Sequence, residues 1–384
     1  MTITNNRIGL YLHVPFCRRK CRYCGFLSFE CCDESVLTEY ARALCMEIRT
    51  RYEEWPYRVV DSIFIGGGTP SLMPAEDMAA VLDTIRDCFM VSDDCEITIE
   101  SNPATLDERK LNTYLESGIN RISIGVQSFD NHILKMLGRV HDKNEAARAI
   151  TTARRAGFDN INVDLMFGIP AQTMKMWKDS FRQCLFLEPE HISLYSLQIE
   201  ENTPFYDMIY KDDIIKPVDE DTDRSMYHEA LMMLSGRGYN LYEISNASKP
   251  GRECRHNLKY WSYEEYLGLG LGASSFIGGY RFRNTSKMKE YLKYIRAGMP
   301  PVKPEDVENY TKRDEMGIYV FTGLRKREGF DINEFESIFG VDFFKVYEPS
   351  LLDEFRGCLE VNGSVMRLTE RGIDISNRIM AAFV

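Results

Sequence analysis

Cys17, Cys21 and Cys24 stand in the spacing C-x3-C-x2-C, and no other group in the chain is so clearly suited to chemistry. Thiolates bind soft metals. A structural zinc ion usually takes four protein ligands from two separated knuckles. Here only Cys31, Cys32 and His13 lie near enough in sequence to complete such a set. The alternative is a 4Fe–4S cluster on three thiolates, with one iron left without a protein ligand and open to a small molecule. An open iron turns an electron carrier into a reagent. Spacing alone leaves both readings open.

The elements that must position these cysteines follow from the apolar pattern. Short β-branched runs at 8–14, 60–65, 95–100, 121–126, 161–167 and 191–197 alternate with stretches whose apolar residues recur every three or four positions. Such alternation means βαβ units around a parallel sheet. The six runs suffice for an open or partial barrel, and two further units for a closed eight-stranded one are not found. Cys17 follows the first run, Gly66-Gly67-Gly68-Thr69 the second, Glu100 ends the third, Gln127 follows the fourth, and Asp164 lies late in the fifth. Parallel α/β sheets and barrels build their sites at that edge. A carboxylate within the apolar run INVDLMF also needs a partner. One site drawn from five βα junctions is expected.

After about residue 205 the pattern changes. DMIYKDDIIKPVDEDTD reads as a polar linker, a helix is expected over 219–236 and a strand in YNLYEIS. The glycine-rich LGLGLGASSFIGG follows RHNLKYW, and the chain ends in a short strand, a Thr369 cap and an amphipathic helix, a small α+β unit of winged-helix type.

Composition narrows the function classes. Hydrophobic residues at 44% and charged residues at 27% describe a globular chain. A net charge of −11 argues against general nucleic-acid binding, because a phosphate backbone would be repelled over most of the surface. Eleven scattered cysteines suit a reducing cytosol. MTITNNRIGLYLHVPF reads poorly as a signal peptide, since its apolar run contains His13, ends at Pro15 and leads into CRRKC. No stretch reaches the roughly 18 apolar residues of a membrane span. A cytoplasmic protein is expected, with at most peripheral membrane contact.

C-x3-C-x2-C after a first strand, with Tyr23 before the third cysteine, resembles the signature of radical S-adenosylmethionine (SAM) enzymes, and GGGTPS resembles that family's glycine motif. YLHVPFC, ESNP, GVQSF, LGRVH, VDLMFGIP and HISLYSL are similar, in order, to its coproporphyrinogen-oxidase-like branch, over about residues 8–300. The resemblance implies a partial (β/α)6 barrel with a smaller C-terminal α+β region. It implies a 4Fe–4S cluster on Cys17, Cys21 and Cys24, and SAM held near Tyr11, Gly67, Gly68, Thr69, Glu100, Gln127, Arg139 and Asp164. Arg139 suits the SAM carboxylate as a bidentate fork, although a solvated cap is the ordinary role for such an arginine. The domains expected are 1–210 for the barrel, 211–300 for an extension and 301–384 for the small unit.

Two departures set the chain apart from oxygen-independent coproporphyrinogen III oxidases: Phe26 stands where those carry a further cysteine, and the arm before the cluster is short. HNLKYW (256–261) instead is similar to the H-N-x-x-Y-W motif of HemW-type heme chaperones. That likeness implies heme as a third cofactor with His256 on its iron, Tyr260 and Trp261 against the ring, and a heme-accepting partner protein. A porphyrin-modifying radical SAM enzyme is the alternative. Arg18, Arg19, Lys20 and Arg22 around the cysteines suit a flavodoxin-like electron donor, or merely a solvated turn.

Overall fold

The computed structural model describes residues 6–384; residues 1–5, part of the segment weighed as a signal peptide, lie outside it. Six parallel strands carry the site: β1 (Arg7–Val14), β2 (Val59–Gly67), β3 (Met90–Ser101), β4 (Arg121–Gln127), β5 (Ile161–Phe167) and β6 (His191–Ser196). They pair in chain order. The helices between them are α1 (Glu34–Glu54), α2 (Ala75–Cys88), α3 (Glu108–Glu116), α4 (Asn131–Leu137), α5 (Lys143–Ala156) and α6 (Met174–Phe186). This is the partial (β/α)6 arrangement the sequence implied.

Period-two alternation decides what each strand shows to each side. In β1, Ile8, Leu10, Leu12 and Val14 are fully buried in the core beneath the helices. Gly9, Tyr11 and His13 take the other face, where an added Cβ at Gly9 would lie 3.0 Å from the His256 ring and from Ser62 Oγ. In β4 the isoleucines and Val126 are core, whereas Arg121, Ser123, Gly125 and Gln127 line an interior cavity.

The sheet does not end with six strands. β7 (Asn240–Glu243) and β8 (Asn246–Ser248) form a hairpin that continues antiparallel beyond β6. Beyond β1, β9 (Tyr266–Leu269) joins in parallel, followed by β10 (Ser274–Ile277), β11 (Tyr280–Arg283) and β12 (Val307–Glu308). Twelve strands result, in the order β12-β11-β10-β9-β1-β2-β3-β4-β5-β6-β8-β7. LGLGLGASSFIGG is therefore part of the sheet and no mere glycine loop. A Cβ at Gly268 would run into the Ser274 carbonyl, so glycine permits the tight pairing of β9 with β10.

The segment 219–236 holds α7 (Glu220–Leu234), and RHNLKYW is a short helix, α8 (Arg255–Trp261). After α9 (Met288–Arg296), the C-terminal residues form α10 (Lys312–Gly323) and a three-stranded sheet of β13 (Phe330–Asp331), β14 (Leu359–Asn362) and β15 (Val365–Leu368), with β15 central. Thr369 caps the following helix, accepting the Gly372 N–H at 3.1 Å, and that helix is broken into Glu370–Asp374 and Ser376–Ala381. Among the described residues no helix is long and apolar enough to cross a membrane.

Candidate functional site

Cys17, Cys21 and Cys24 all line one cavity of about 580 Å³ at the C-terminal ends of the strands. Their loop is held at several points. Phe16–Cys17 pairs in parallel with Phe29–Glu30, the Cys31 N–H donates to the Cys17 carbonyl at 2.9 Å, and the Arg22 N–H donates to the Leu137 carbonyl at 3.0 Å. Thr69 Oγ1 approaches Cys17 Sγ at 3.6 Å, and Arg139 Nη1 donates to Cys21 Sγ at 3.4 Å. Burial, and the nearness of the other thiols, push Cys17 and Cys24 up, so holding these two as thiolates calls for a cationic ligand. Cys31 and Cys32, the candidates for a fourth thiolate, do not line the cavity: Cys31 turns its thiol toward the Asp33 carbonyl at 3.9 Å, and Cys32 is exposed. Three thiols with an open side fit an incompletely ligated cluster better than a closed zinc site.

The residues expected to hold SAM gather around the same space. Gly67, Gly68, Thr69, Glu100, Gln127, Arg139 and Asp164 all line it. The glycine turn has geometric reasons: Gly67 adopts φ +114°, and a Cβ at Gly68 would sit 2.6 Å from the Phe16 carbonyl oxygen. Glu100 Oε2 accepts the Gly67 N–H at 3.1 Å. Burial, then the nearby Asp164, push Glu100 up to about 8. Asp164 is raised as well, by burial, against hydrogen bonds from Asn162 Nδ2 at 2.7 Å and Ser123 Oγ at 3.3 Å. Gln127 is held at φ +67°, a conformation rare outside glycine. Arg139 donates through Nη2 to the Gly125 carbonyl.

Among the described residues, Ser101 Oγ, Arg121 Nε and Arg139 Nε are buried without a hydrogen-bond partner, and all three residues line the cavity. Buried polar atoms are normally satisfied, so a polar ligand is what this space lacks. The donor set fits a cluster on the thiols with a nucleoside and an amino-acid group beside it.

Two expected residues sit elsewhere. Tyr11 lies one layer out, its ring stacked 6.4 Å from that of Phe64, which does line the cavity, and its hydroxyl 2.9 Å from His13 Nδ1. His256 differs more. It is fully buried, stacked on Phe64 at 5.4 Å, with Nδ1 2.9 Å from Ser62 Oγ and Nε2 3.0 Å from the Tyr260 hydroxyl. Burial, then Lys259, push it down to about 3, so the ring is neutral. Glu96 accepts the N–H groups of Arg255 and His256, both at 3.1 Å, anchoring the start of α8 among the strands. In this conformation the expected iron ligand is a packed barrel residue with both nitrogens engaged, and only Asn257 of its helix lines the cavity.

Sequence reasoning passed over Arg121, Ser123, Asn162, Ser193 and Tyr195, which also line the cavity. Asn162 ties Asp164 to His191, whose Nδ1 lies 2.6 Å from Asn162 Oδ1. The signal was available: R-i-S-i-G-v-Q, N-v-D and S-l-Y place small or polar residues at every second position of apolar strands. That pattern marks a strand with one face on helices and the other on a polar interior.

Known proteins resemble the chain in the same terms. The model of the radical SAM superfamily matches residues 11–184, and that of the HemN C-terminal domain matches residues 310–375. The heme chaperone HemW of Bacillus subtilis is 35% identical, with 97% of this chain and 98% of that protein covered. HemW of Escherichia coli is 40% identical over 69% of each chain. In fold, the chain matches coproporphyrinogen III oxidase (HemN) from Escherichia coli with a TM-score of 0.86 at 22% identity, over 99% of this chain and 90% of that one.

Proposed function

Because this chain belongs to the HemW family within the radical SAM superfamily, we propose that it is a heme chaperone, binding heme and passing it to an acceptor protein. Cys17, Cys21 and Cys24 would hold a 4Fe–4S cluster, and Gly67, Gly68, Thr69, Glu100, Gln127, Arg139 and Asp164 would hold SAM. Their gathering around one cavity carries this reading. When bound, cluster and SAM together supply one-electron chemistry at the SAM sulfonium. The chain's own residues bind and orient. Glu100, protonated at neutral pH, can donate to or accept from a ribose hydroxyl. Arg139 keeps an unused Nε for a carboxylate while its Nη1 steadies Cys21.

Heme is the cargo, and the cavity rim is the place that suits it. Phe26, 69% exposed, lines the cavity, with Lys20 Nζ donating to its carbonyl at 3.2 Å and Arg18 on the same lining. A flat apolar ring with two carboxylates matches an exposed aromatic flanked by cations. His256 would reach an iron only after leaving Ser62, Tyr260 and Phe64, so we put the rim first. We also place the protein in the cytosol, where its eleven free cysteines would remain reduced.

Heme titration of the anaerobically reconstituted protein, followed at the Soret band, tests this reading. Phe26→Ser with Arg18→Glu should weaken heme binding by about tenfold, roughly 1.4 kcal/mol, with iron content unchanged. His256→Ala should change it less. A larger loss from His256→Ala would return the heme to the α8 helix, and wild-type protein that takes up no heme would end the chaperone reading.

A further inference from the structure

The interior face of β4 begins with a buried cation. Arg121 is 2% exposed and lines the cavity. Among the described residues its guanidinium makes no hydrogen bond and no ion pair, and Oγ1 of its fully buried cross-strand neighbour Thr98 has no partner either. The side-chain amide of Asn257, which lines the cavity from α8, is also free of hydrogen bonds among them. A buried guanidinium cannot lose its charge, so it costs stability until an anion meets it.

Register places this group deeper than the residues assigned to SAM. Thr98 pairs with Arg121, and Glu100 with Ser123. The Arg121 level is therefore two residues, roughly 7 Å, further from the thiols than the Glu100 level. The acids whose charge reaches Arg121 are already engaged. Glu96 accepts the N–H groups of Arg255 and His256, each at 3.1 Å, and the Cys254 thiol at 3.5 Å, which also closes the start of α8 to any other anion. Asp164 accepts from Asn162 and Ser123, and Glu100, at about 8, is protonated. Burial keeps Tyr242 neutral and pushes Cys254 up to about 12, so neither supplies a charge.

We propose that Arg121 floors a second ligand site in this cavity, taking the carboxylate of an organic acid bound alongside SAM. The inference rests on the SAM reading above, which assigns the upper part of the same space and gives the SAM carboxylate to Arg139. A planar guanidinium matches a carboxylate through two parallel hydrogen bonds. One cation beside a hydroxyl and an amide balances a single negative charge; a phosphate dianion would leave a charge uncompensated. Two sources carry this group: a free small acid, and a propionate of heme.

The test uses the full reconstituted chain with saturating SAM, and propionate as the small-acid probe. Propionate should raise the melting temperature above that in chloride of equal ionic strength, because a ligand bound only by the folded state stabilises it. Arg121→Gln should shift the midpoint of that response by at least about tenfold in concentration, with SAM affinity and iron content unchanged. Arg121→Lys, which keeps a cation, should recover part of it. Heme and its dimethyl ester separate the two sources. If Arg121 holds a heme propionate, the wild type prefers heme to the ester and Arg121→Gln loses that preference. Should Arg121→Gln not fold, Asn257→Ala is read in its place. If neither the propionate response nor the preference for heme depends on these residues, the site is overturned. Wild-type protein that binds no SAM would instead overturn the reading beneath it.

Discussion

Loss of any one of Cys17, Cys21 and Cys24 should abolish cluster assembly, because a site already one ligand short has no spare thiol. Cys31→Ser and Cys32→Ser should leave reconstituted iron and sulfide at wild-type levels, and an equal loss from either would restore a four-thiolate site. Glu100 allows a test by pH. Its raised value, about 8, means the folded state prefers the protonated carboxyl. Its stabilising contribution is complete below the ordinary value of 4.5 and is lost as pH rises toward 8. The SAM-free protein should therefore melt at lower temperature as pH rises through that window, by at most about 1.4 kcal/mol per unit from this group. Glu100→Gln should flatten the slope, with Asp164 supplying what remains; a slope identical to wild type would contradict the assignment. Legibility at this scale depended on sequence distance. The three cysteines announce themselves because their spacing is local, Glu100 because it ends a strand run at a βα junction, and Asp164 because a carboxylate interrupts an apolar run. Arg121 and Asn162 stayed hidden: each stands at or next to a strand start, where a polar residue ordinarily faces solvent, and only the fold shows them buried at 2% exposure.

The same contrast governs the elements. The six parallel strands were legible from β-branched runs alternating with helical periodicity. β9 and β10 were not, because glycine-dense sequence reads as loop until the close approach at Gly268 is seen. α8 is the most instructive element. HNLKYW carries the residue types of a heme site, but the fold uses His256 to fill the barrel interior against Gly9, Ser62 and Phe64. Burial could not be read from the motif, since its neighbours are more than 190 residues away in the chain. Glu96 is what fixes that helix. Glu96→Ala leaves two N–H groups without their acceptor and should cost about 1–3 kcal/mol, measured by denaturant unfolding, while Glu96→Gln, which keeps an acceptor oxygen, should cost less. Equal stability of Glu96→Ala and wild type would show that α8 is held by packing alone.

At the scale of the whole molecule, the six parallel strands at the centre of a twelve-stranded sheet and their loops line one cavity that carries the three thiols. Exposed Phe26 and the cations Arg18 and Lys20 are on its lining. The fold is that of a porphyrin oxidase; the family is that of heme chaperones. The two differ in what leaves the protein, a modified porphyrin or the same heme. The most direct measurement is mass spectrometry of the tetrapyrrole after incubating the reconstituted protein with SAM, a strong reductant and either heme or coproporphyrinogen. Coproporphyrinogen should be recovered at its starting mass, and heme intact and transferable to an apo-hemoprotein. Decarboxylated coproporphyrinogen, or heme opened with release of its iron, would contradict the chaperone reading.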